Sequence, residues 1–402
     1  MTRRWRDAKS TDGRFDRVDP LSLNSQLDRD EILVRDAARE FAETYLRPSV
    51  TADFDDDYSD PNLLRAMGQH GLIGVAFPEI YGCAGASYVA YGLVAREMER
   101  IDTGCRSLLN VQTSLVMYPI YRFGSNEQRS RYLPALARGE LIGCFGLTEP
   151  AGGSDATAMK TVAVNIDGGY RVTGKKAWIS NAPIADLFIV WARSEAHGGV
   201  IRGFLVEKGS RGLSTKKVRN KFAIRTSING VVSLDNVHVG RDAILPAAIG
   251  LQAPLDCLKR ARYEVSWGVL GAAKSCFTIA LQHGLERKKF ERTLAASQLF
   301  QKKLSDMAID ISLGLQASLR VGRLIDRHEC ALETISLVKR NNAAKALTIA
   351  RQAREIIGGS CMSSGYEALR HMLNLEAVST HGGSDDVHAL VLGRAITGFS
   401  AF

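Results

Sequence analysis

The stretch Gly146-Leu147-Thr148-Glu149-Pro150-Ala151-Gly152-Gly153-Ser154-Asp155 lies where the hydrophobic period of this 402-residue chain has just changed, past Gly143, from helical to alternating. The small residues of this stretch let the backbone approach a ligand closely, and its free N–H groups suit anionic or carbonyl oxygens. A glycine-rich loop alone is weak evidence, because it is more often only a turn. The patterns on either side of the loop therefore carry the interpretation.

The segment before the loop has a helical pattern, which predicts an N-terminal helical domain over 21–142. Asp28-Arg29-Asp30-Glu31 is a capping box ahead of an apolar helical series, and Pro48 stops that helix. Ser125-Asn126-Glu127-Gln128 predicts a second capped helix through Ala137.

The segment after the loop alternates like β-strands, which predicts a middle β domain over 143–250. Asp167-Gly168-Gly169 reads as a hairpin turn between two alternating runs. Further strands are predicted at Leu187–Ala192, Gly203–Glu207 and Val231–Leu234. From 251 to 402 the pattern is helical again, and one helix ends at Gly358-Gly359. The expected fold is mainly α with a central β domain, a barrel or sandwich.

Composition narrows the function classes. The formal net charge of +9 is compatible with nucleic-acid binding, but no basic tract or aromatic-interleaved patch supports it. No apolar run is long enough to span a membrane, and residues 1–20 read as a polar arm rather than a targeting peptide. Seven single cysteines without a CxxC pair argue against a metal site and indicate reduced thiols in the cytoplasm.

The loop and the later run Lys176-Ala177-Trp178-Ile179-Ser180-Asn181 together resemble the acyl-CoA dehydrogenase family, and within it the glutaryl-CoA dehydrogenase branch. Supporting runs lie at 81–85, 116–121, 374–378 and 392–398. The resemblance implies the fold of that family, with an N-terminal helical domain, a middle β domain and a C-terminal four-helix bundle. It also implies an FAD cofactor, a CoA-thioester substrate and a homotetramer built as a dimer of dimers.

The resemblance also implies roles for individual residues. Thr148 and Ser180 are expected to hydrogen-bond the flavin ring, and Trp178 to pack against it. The other cofactor positions are Phe145, Leu147, Gly153, Ser154, Glu355, Gly358, Gly359, Ser384 and Asp386, with Arg287, Phe290 and Gln298 serving the FAD of a partner subunit. The substrate positions are Arg106, Ser107, Ser154, Leu258, Arg262, His381 and Gly383.

Arg106 and Ser107 match the pair that binds the far carboxylate of glutaryl-CoA in that branch. The guanidinium of Arg106 presents a fixed fork that suits a carboxylate or a polar carbonyl. The alternative for Arg106 is a surface or helix-to-helix ion pair with Glu99.

The chain departs from the family where the chemistry is concentrated. Cys361 stands where the family has a glycine, and Gly365 stands where it has an acidic residue. Glu291 replaces a glycine in the segment expected to bind the FAD of a partner subunit. The run Tyr-Glu-Gly-Thr of the family is His381-Gly382-Gly383-Ser384 here. Gly382 therefore replaces the catalytic glutamate, and glycine cannot accept a proton.

Three interpretations follow. The base is relocated to Glu264, one helical turn from the position of Ala261 that other members use, or to His381, whose ordinary pKa is about 6.5. Alternatively, the chemistry has changed to use molecular oxygen on a bulky or cyclic acyl-CoA, as in a tropone-forming branch of the family. This oxygen-using interpretation ranks first on the sequence. An electron-transfer flavoprotein is expected as a partner only if the protein is a dehydrogenase. The third is a flavoprotein that binds CoA esters without catalysis.

Overall fold

The computed structural model describes residues 15–400. Seven α-helices form the first part of the chain. They are α1 Arg29–Phe41, α2 Val50–Asp55, α3 Leu63–Gln69, α4 Tyr88–Glu99, α5 Thr103–Asn110, α6 Tyr118–Phe123 and α7 Asn126–Ala137. Two π-helical turns, Ala42–Leu46 and Val111–Met117, extend α1 and join α5 to α6.

Both predicted capping boxes are confirmed. The Asp28 side chain accepts from Glu31 N at 2.8 Å, and the Glu31 side chain accepts from Asp28 N at 3.1 Å. Ser125 and Gln128 make the same reciprocal pair at the start of α7. Each box satisfies two backbone N–H groups that the first turn of a helix leaves without partners.

Seven strands form the middle of the chain. They are β1 Gly143–Gly146, β2 Val162–Ile166, β3 Gly169–Ser180, β4 Leu187–Ser194, β5 Val200–Glu207, β6 Leu213–Lys217 and β7 Asn229–Gly240. Strand β4 pairs with β5 along one edge and with β1 and β2, in parallel, along the other. The antiparallel order β2-β3-β7-β6 completes one curled sheet. The predicted hairpin at Gly168 is confirmed, whereas β1 and β6 were not predicted.

The last part of the chain is helical. It comprises α8 Gln252–Glu286, the small hairpin β8 Lys288–Lys289 and β9 Arg292–Thr293, then α9 Gln298–Asp326, α10 Leu332–Ile357, α11 Glu367–Val378 and α12 Asp385–Thr397. Helices α8, α9, α10 and α11 pack together around an apolar core. Helix α10 ends as predicted at Gly358, whose φ of 72° is left-handed backbone that glycine adopts without strain.

The predicted polar arm is described only in part, because residues 1–14 lie outside the described residues. Within residues 15–20, Lys274 of α8 donates to the carbonyl of Val18 at 2.5 Å. The side chain of Asp19 accepts from Leu23 N at 2.7 Å, and Leu23 is buried. This part of the arm therefore packs on the helical domain.

Across residues 15–400, no helix is both long and apolar enough to cross a bilayer. The same residues contain no cluster of potential metal ligands. All seven cysteines are free thiols.

Candidate active site

A buried ion pair fastens the glycine-rich loop to β3. Lys176 Nζ lies 2.9 Å from Glu149 Oε1 and 3.2 Å from the carbonyl oxygen of Leu147. Glu149 also accepts from the backbone N–H groups of Lys160 and Thr161 at 2.7 and 2.9 Å. Burial alone would raise the pKa of Glu149, but hydrogen bonds from Thr161 and Lys176 outweigh it and lower the pKa to about 2. The carboxylate thus stays ionised and holds the loop.

The pair of Lys176 and Glu149 was not predicted from the sequence. Glu149 lies within the glycine-rich loop, and Lys176 begins the run 176–181, so both residues belong to stretches that carry the family resemblance. The signal available in the sequence is a lysine inside a predicted strand, because a lysine that the sheet buries requires a charged partner.

The fastened loop lies beside the exposed ring of Trp178. Ala177 N donates to the carbonyl of Thr148 at 2.9 Å, which ties the loop to β3 next to this tryptophan. Trp178 has a φ of 58° at an irregularity of β3, and it is 64% exposed. Thr148 and Gly153 are among the residues that line an adjoining cleft of about 260 Å³. An exposed indole beside an open cleft suits a planar aromatic ligand.

The other predicted flavin residues have distinct surroundings. Ser180 Oγ accepts from Asn229 Nδ2 at 2.9 Å, so its own proton remains available for a ligand. Phe145 is buried against Trp191, with ring centroids 5.9 Å apart, so its ring belongs to the core. Leu147 is buried and Ser154 is exposed.

The residues predicted to serve a partner's FAD lie on the exposed ends of the C-terminal helices. Arg287 caps α8, Gln298 begins α9, and Phe290 at the tip of the β8–β9 hairpin is 98% exposed. Glu355 is exposed and pairs with Lys303 at 2.6 Å. The set is completed by Gly358 and Gly359 at the end of α10, by Ser384, which caps α12, and by Asp386 in the first turn of α12.

Arg106 is part of a buried cluster rather than a surface pair. Its Nε lies 2.6 Å from Oε2 of Glu99, and both side chains are almost completely buried. Thr103 donates to the other oxygen of Glu99 at 2.9 Å. The helix-to-helix form of the predicted Glu99 pair is therefore confirmed, and its surface form is wrong. Ser107 is half-buried on the same helix.

Glu264 is the second carboxyl group of this cluster. Its Oε2 lies 3.6 Å from Nη1 of Arg106 and accepts a hydrogen bond from Asn110 Nδ2. Asn110 also donates to the carbonyl of Ala261 at 3.1 Å, which places Glu264 beside the position expected for a relocated base. Glu264 is 0% exposed, so it is not a solvated side chain of the helix surface, and its cationic neighbour is Arg106. Burial raises its pKa well above the ordinary value, against the opposing effect of Arg106.

The loop at 381–383, which the family resemblance matches to the catalytic run, is held by two cations. Arg262 Nε donates to the carbonyl of Gly382 at 2.7 Å. Lys339 Nζ donates to the carbonyls of Val378, His381 and Gly383 at 3.1, 3.1 and 2.8 Å. These bonds fix the path of the backbone from the end of α11 to the start of α12. Leu258, one turn before Arg262, packs half-buried against the core.

The space beside Gly382 is open. A Cβ atom at Gly382 would meet nothing within 4 Å among the described residues, although φ is 64°. A Cβ at Gly383 would lie 2.8 Å from Nε2 of His388. The pKa of His381 is lowered to about 3 by burial and then by the charges of Arg106 and Lys339. His381 is therefore neutral, and it lies within electrostatic reach of the Arg106 cluster.

Helices, curled sheet and helices in this order, with a cleft beside an exposed indole, define a flavoprotein of the acyl-CoA dehydrogenase type. The chain matches the models of the acyl-CoA dehydrogenase N-terminal domain over 28–140, the middle domain over 144–237 and the C-terminal domain over 249–397. The chain belongs to the acyl-CoA dehydrogenase family, and its cofactor is FAD.

Individual relatives are similar along their whole length. An acyl-CoA dehydrogenase of Bacillus subtilis is 30% identical over 92% of this chain and 98% of its own. The glutaryl-CoA dehydrogenase of Mycobacterium smegmatis, in a complex with FADH2, has a TM-score of 0.94 and 38% identity, covering 97% and 100% of the two chains. A chain in a structure of the electron-transferring flavoprotein of Acidaminococcus fermentans has a TM-score of 0.89 and 31% identity, covering 92% and 98%.

Proposed function

We propose that this protein is an FAD-dependent oxidoreductase that oxidises a CoA thioester between Cα and Cβ without a carboxylate at the usual place. The observation that carries the proposal is the loop at 381–383. Arg262 and Lys339 hold its backbone, and the space beside Gly382, which we match to the family's glutamate, is open. The relatives, which are named as acyl-CoA dehydrogenases, support dehydrogenation over the oxygen-using chemistry that the sequence ranked first.

The residues present fit the cofactor. Trp178 offers an exposed ring to one side of a flavin, and the hydroxyl groups of Thr148 and Ser180 are available to hold its polar edge. FAD supplies a hydride acceptor when it is bound. The protein positions the thioester, and we assign Ser154, Arg262 and Leu258 to that task.

Removal of the α-proton is the step that the missing carboxylate affects. His381 is a weak base because its pKa is about 3. Burial raises the pKa of Glu264 well above its ordinary value, so this carboxyl group holds a proton more tightly than an exposed one does. A positioned base contributes about 10²–10⁴ in rate. We therefore expect the substrate itself to have an acidic α-proton.

This expectation is tested with two esters of similar shape, 2-phenylpropanoyl-CoA and 2-cyclohexylpropanoyl-CoA. The phenyl group acidifies the α-proton and the cyclohexyl group does not. On anaerobic mixing with the holoenzyme, the phenyl ester should bleach the flavin at least ~100-fold faster, which is the low end of the contribution of a base. Equal rates would show that the protein supplies a base after all.

Two glycine variants sharpen this test. Gly382→Glu should accelerate bleaching by the cyclohexyl ester, because it restores a carboxylate where space is open. Gly398→Glu is the control. Gly398 also has a positive φ, of 78°, and a Cβ there would meet nothing within 4 Å among the described residues, but it lies at the end of α12. An equal response of both variants would contradict the assignment of the site.

Molecular oxygen is a second candidate acceptor, and the open volume beside Gly382 favours it. After anaerobic bleaching, labelled oxygen is admitted and the product is weighed by mass spectrometry. Label in the product would establish oxygenation, whereas reoxidation only by electron-transfer flavoprotein or a dye would exclude it. Absence of bleaching by any ester would instead indicate a CoA-ester-binding flavoprotein without catalysis.

A further inference from the structure

The buried cluster of Glu99, Arg106, Asn110 and Glu264 contains one charged pair and one extra carboxyl group. The Arg106–Glu99 pair, at 2.6 Å, already satisfies the charge of the guanidinium. Glu264 lies further away, at 3.6 Å from Arg106, and is held by Asn110 instead. The family resemblance explains Arg106 as a grip for a distal carboxylate, but it does not explain Glu264.

Two polar atoms of this cluster lack a protein partner. Among the described residues, Nη2 of Arg106 and Oε1 of Glu264 are buried and make no hydrogen bond. A buried polar group without a partner is costly, so a bound ligand or water that satisfies both atoms would be stabilising. Since Oε2 of Glu264 accepts from Asn110, the proton of a neutral Glu264 lies on Oε1. Both atoms are then donors.

The cluster adjoins the loop where the thioester is expected. Asn110 links it to the carbonyl of Ala261, and the next residue, Arg262, holds Gly382. The charge of Arg106 also acts on His381, which precedes Gly382. The cluster therefore lies next to the loop at 381–383, and we place the far end of the acyl group against it.

We infer that Glu264 and Arg106 recognise an uncharged oxygen, such as a ketone or hydroxyl group, at the far end of the acyl chain, and that Glu264 selects against a carboxylate there. Two donors match an oxygen acceptor. Arg106 already has the carboxyl group of Glu99 as its partner, and Glu264 places a second buried carboxyl group beside it. A ligand carboxylate would add an uncompensated buried charge beside two carboxyl groups, which is unfavourable. This inference rests on the proposed use of a CoA thioester.

Three esters of equal length test it. Glutaryl-CoA ends in a carboxylate, 5-oxohexanoyl-CoA replaces one oxygen of that carboxylate by a methyl group, and hexanoyl-CoA ends without oxygen. Binding is measured by titration calorimetry on dithionite-reduced holoenzyme, which cannot oxidise the esters. We expect 5-oxohexanoyl-CoA to bind at least ~10-fold more tightly than either other ester, as one to two hydrogen bonds would give.

Variants at position 264 identify the group responsible. Glu264→Gln keeps a neutral donor and should retain the preference for the ketone within about 3-fold. Glu264→Leu removes the donor, and ketone and hexanoyl esters should then bind within about 3-fold of each other. Glu140→Gln, at an exposed surface pair, is the matched control and should change nothing. Unchanged hexanoyl-CoA affinity shows that the leucine variant is folded.

The outcomes separate the inference from the proposed function. Equal binding of all three esters, or tightest binding of glutaryl-CoA, overturns the inference and leaves oxidation of a CoA thioester intact. Failure of every ester to bind overturns both. Flavin bleaching by 2-phenylpropanoyl-CoA gives a further readout, because loss of about 10²-fold or more in Glu264→Gln would make Glu264 the base instead.

Discussion

The ion pair of Lys176 and Glu149 holds the loop that lines the flavin cleft. Lys176 is completely buried, and burial lowers its pKa to about 8 in spite of its bond to Glu149. The pair spans the loop and β3, so its loss would release the loop that carries Thr148. Replacing one partner of a buried ion pair leaves an uncompensated buried charge. This destabilises the folded protein more than replacing both partners by apolar residues does.

We therefore expect Lys176→Met to lower the free energy of unfolding by about 3–5 kcal/mol, as for other broken buried pairs, and to lower flavin occupancy. Lys208→Met is the control, because the exposed Lys208–Asp186 pair at 3.2 Å should be worth about 0–1 kcal/mol. Urea unfolding and the ratio of flavin to protein absorbance measure both effects. Full flavin occupancy in Lys176→Met would show that the loop does not depend on the pair.

At the residue scale, the sequence predicted which side chains are neighbours on adjoining helices, but not how deeply they are buried. Glu264 was expected on the face of α8 next to Ala261, and Asn110 does bridge the two residues. The complete burial of Glu264 could not be predicted from the sequence, because this burial depends on the packing of α5 across α8. The ionic partner of Arg106 could be named, since Glu99 lies seven residues earlier on the adjoining helix.

At the scale of elements, one lysine of α10 organises the join between α11 and α12. The carbonyls that Lys339 contacts include Val378, the last residue of α11, whose carbonyl has no partner within its helix. The other two carbonyls belong to the loop that contains Gly382. Lys339 therefore acts as a C-terminal cap and a positioning residue, and not as a catalytic residue.

Lys339→Met should increase amide hydrogen exchange across 379–383 by about 10-fold or more, because three carbonyls lose a charged donor worth roughly 1.5–3 kcal/mol per bond. It should also weaken CoA-ester binding while leaving the flavin spectrum unchanged. Lys345→Met on the same helix is the matched control, since its pair with Asp310 is partly exposed. Equal exchange in the two variants would contradict the capping role.

Element boundaries followed from the sequence where local chemistry sets them. The capping boxes at Asp28 and Ser125 fixed two helix starts, and Gly358 fixed one end, because each depends on residues within one turn. Strand β6 was missed because its run Leu213–Lys217 is largely polar and exposed at the sheet edge. Strand β1 was missed because four small and apolar residues have no period.

At the scale of the whole molecule, large apolar side chains remain exposed on the C-terminal helices. Ile309 and Leu313 of α9 are 55% and 59% exposed and lie one turn apart on the same face. Phe290 and Ile396 are exposed elsewhere in this part of the chain. The exposed pair of Ile309 and Leu313 indicates an interface. We expect this face to lie in the homotetramer that the family resemblance implies, in which Arg287, Phe290 and Gln298 reach a partner's FAD.

Ile309→Lys with Leu313→Lys should therefore reduce the mass measured by light scattering from four chains to two or one. Charges on an apolar interface lose burial and add repulsion between symmetry-related copies. Flavin occupancy should fall in parallel, because a site completed by a partner is lost when the partner leaves. Ile80→Lys, at a residue 81% exposed in the N-terminal helical part, is the control and should keep both mass and flavin. A four-chain mass in the α9 double variant would place the interface on another face, and loss of mass without loss of flavin would remove Arg287, Phe290 and Gln298 from the cofactor site.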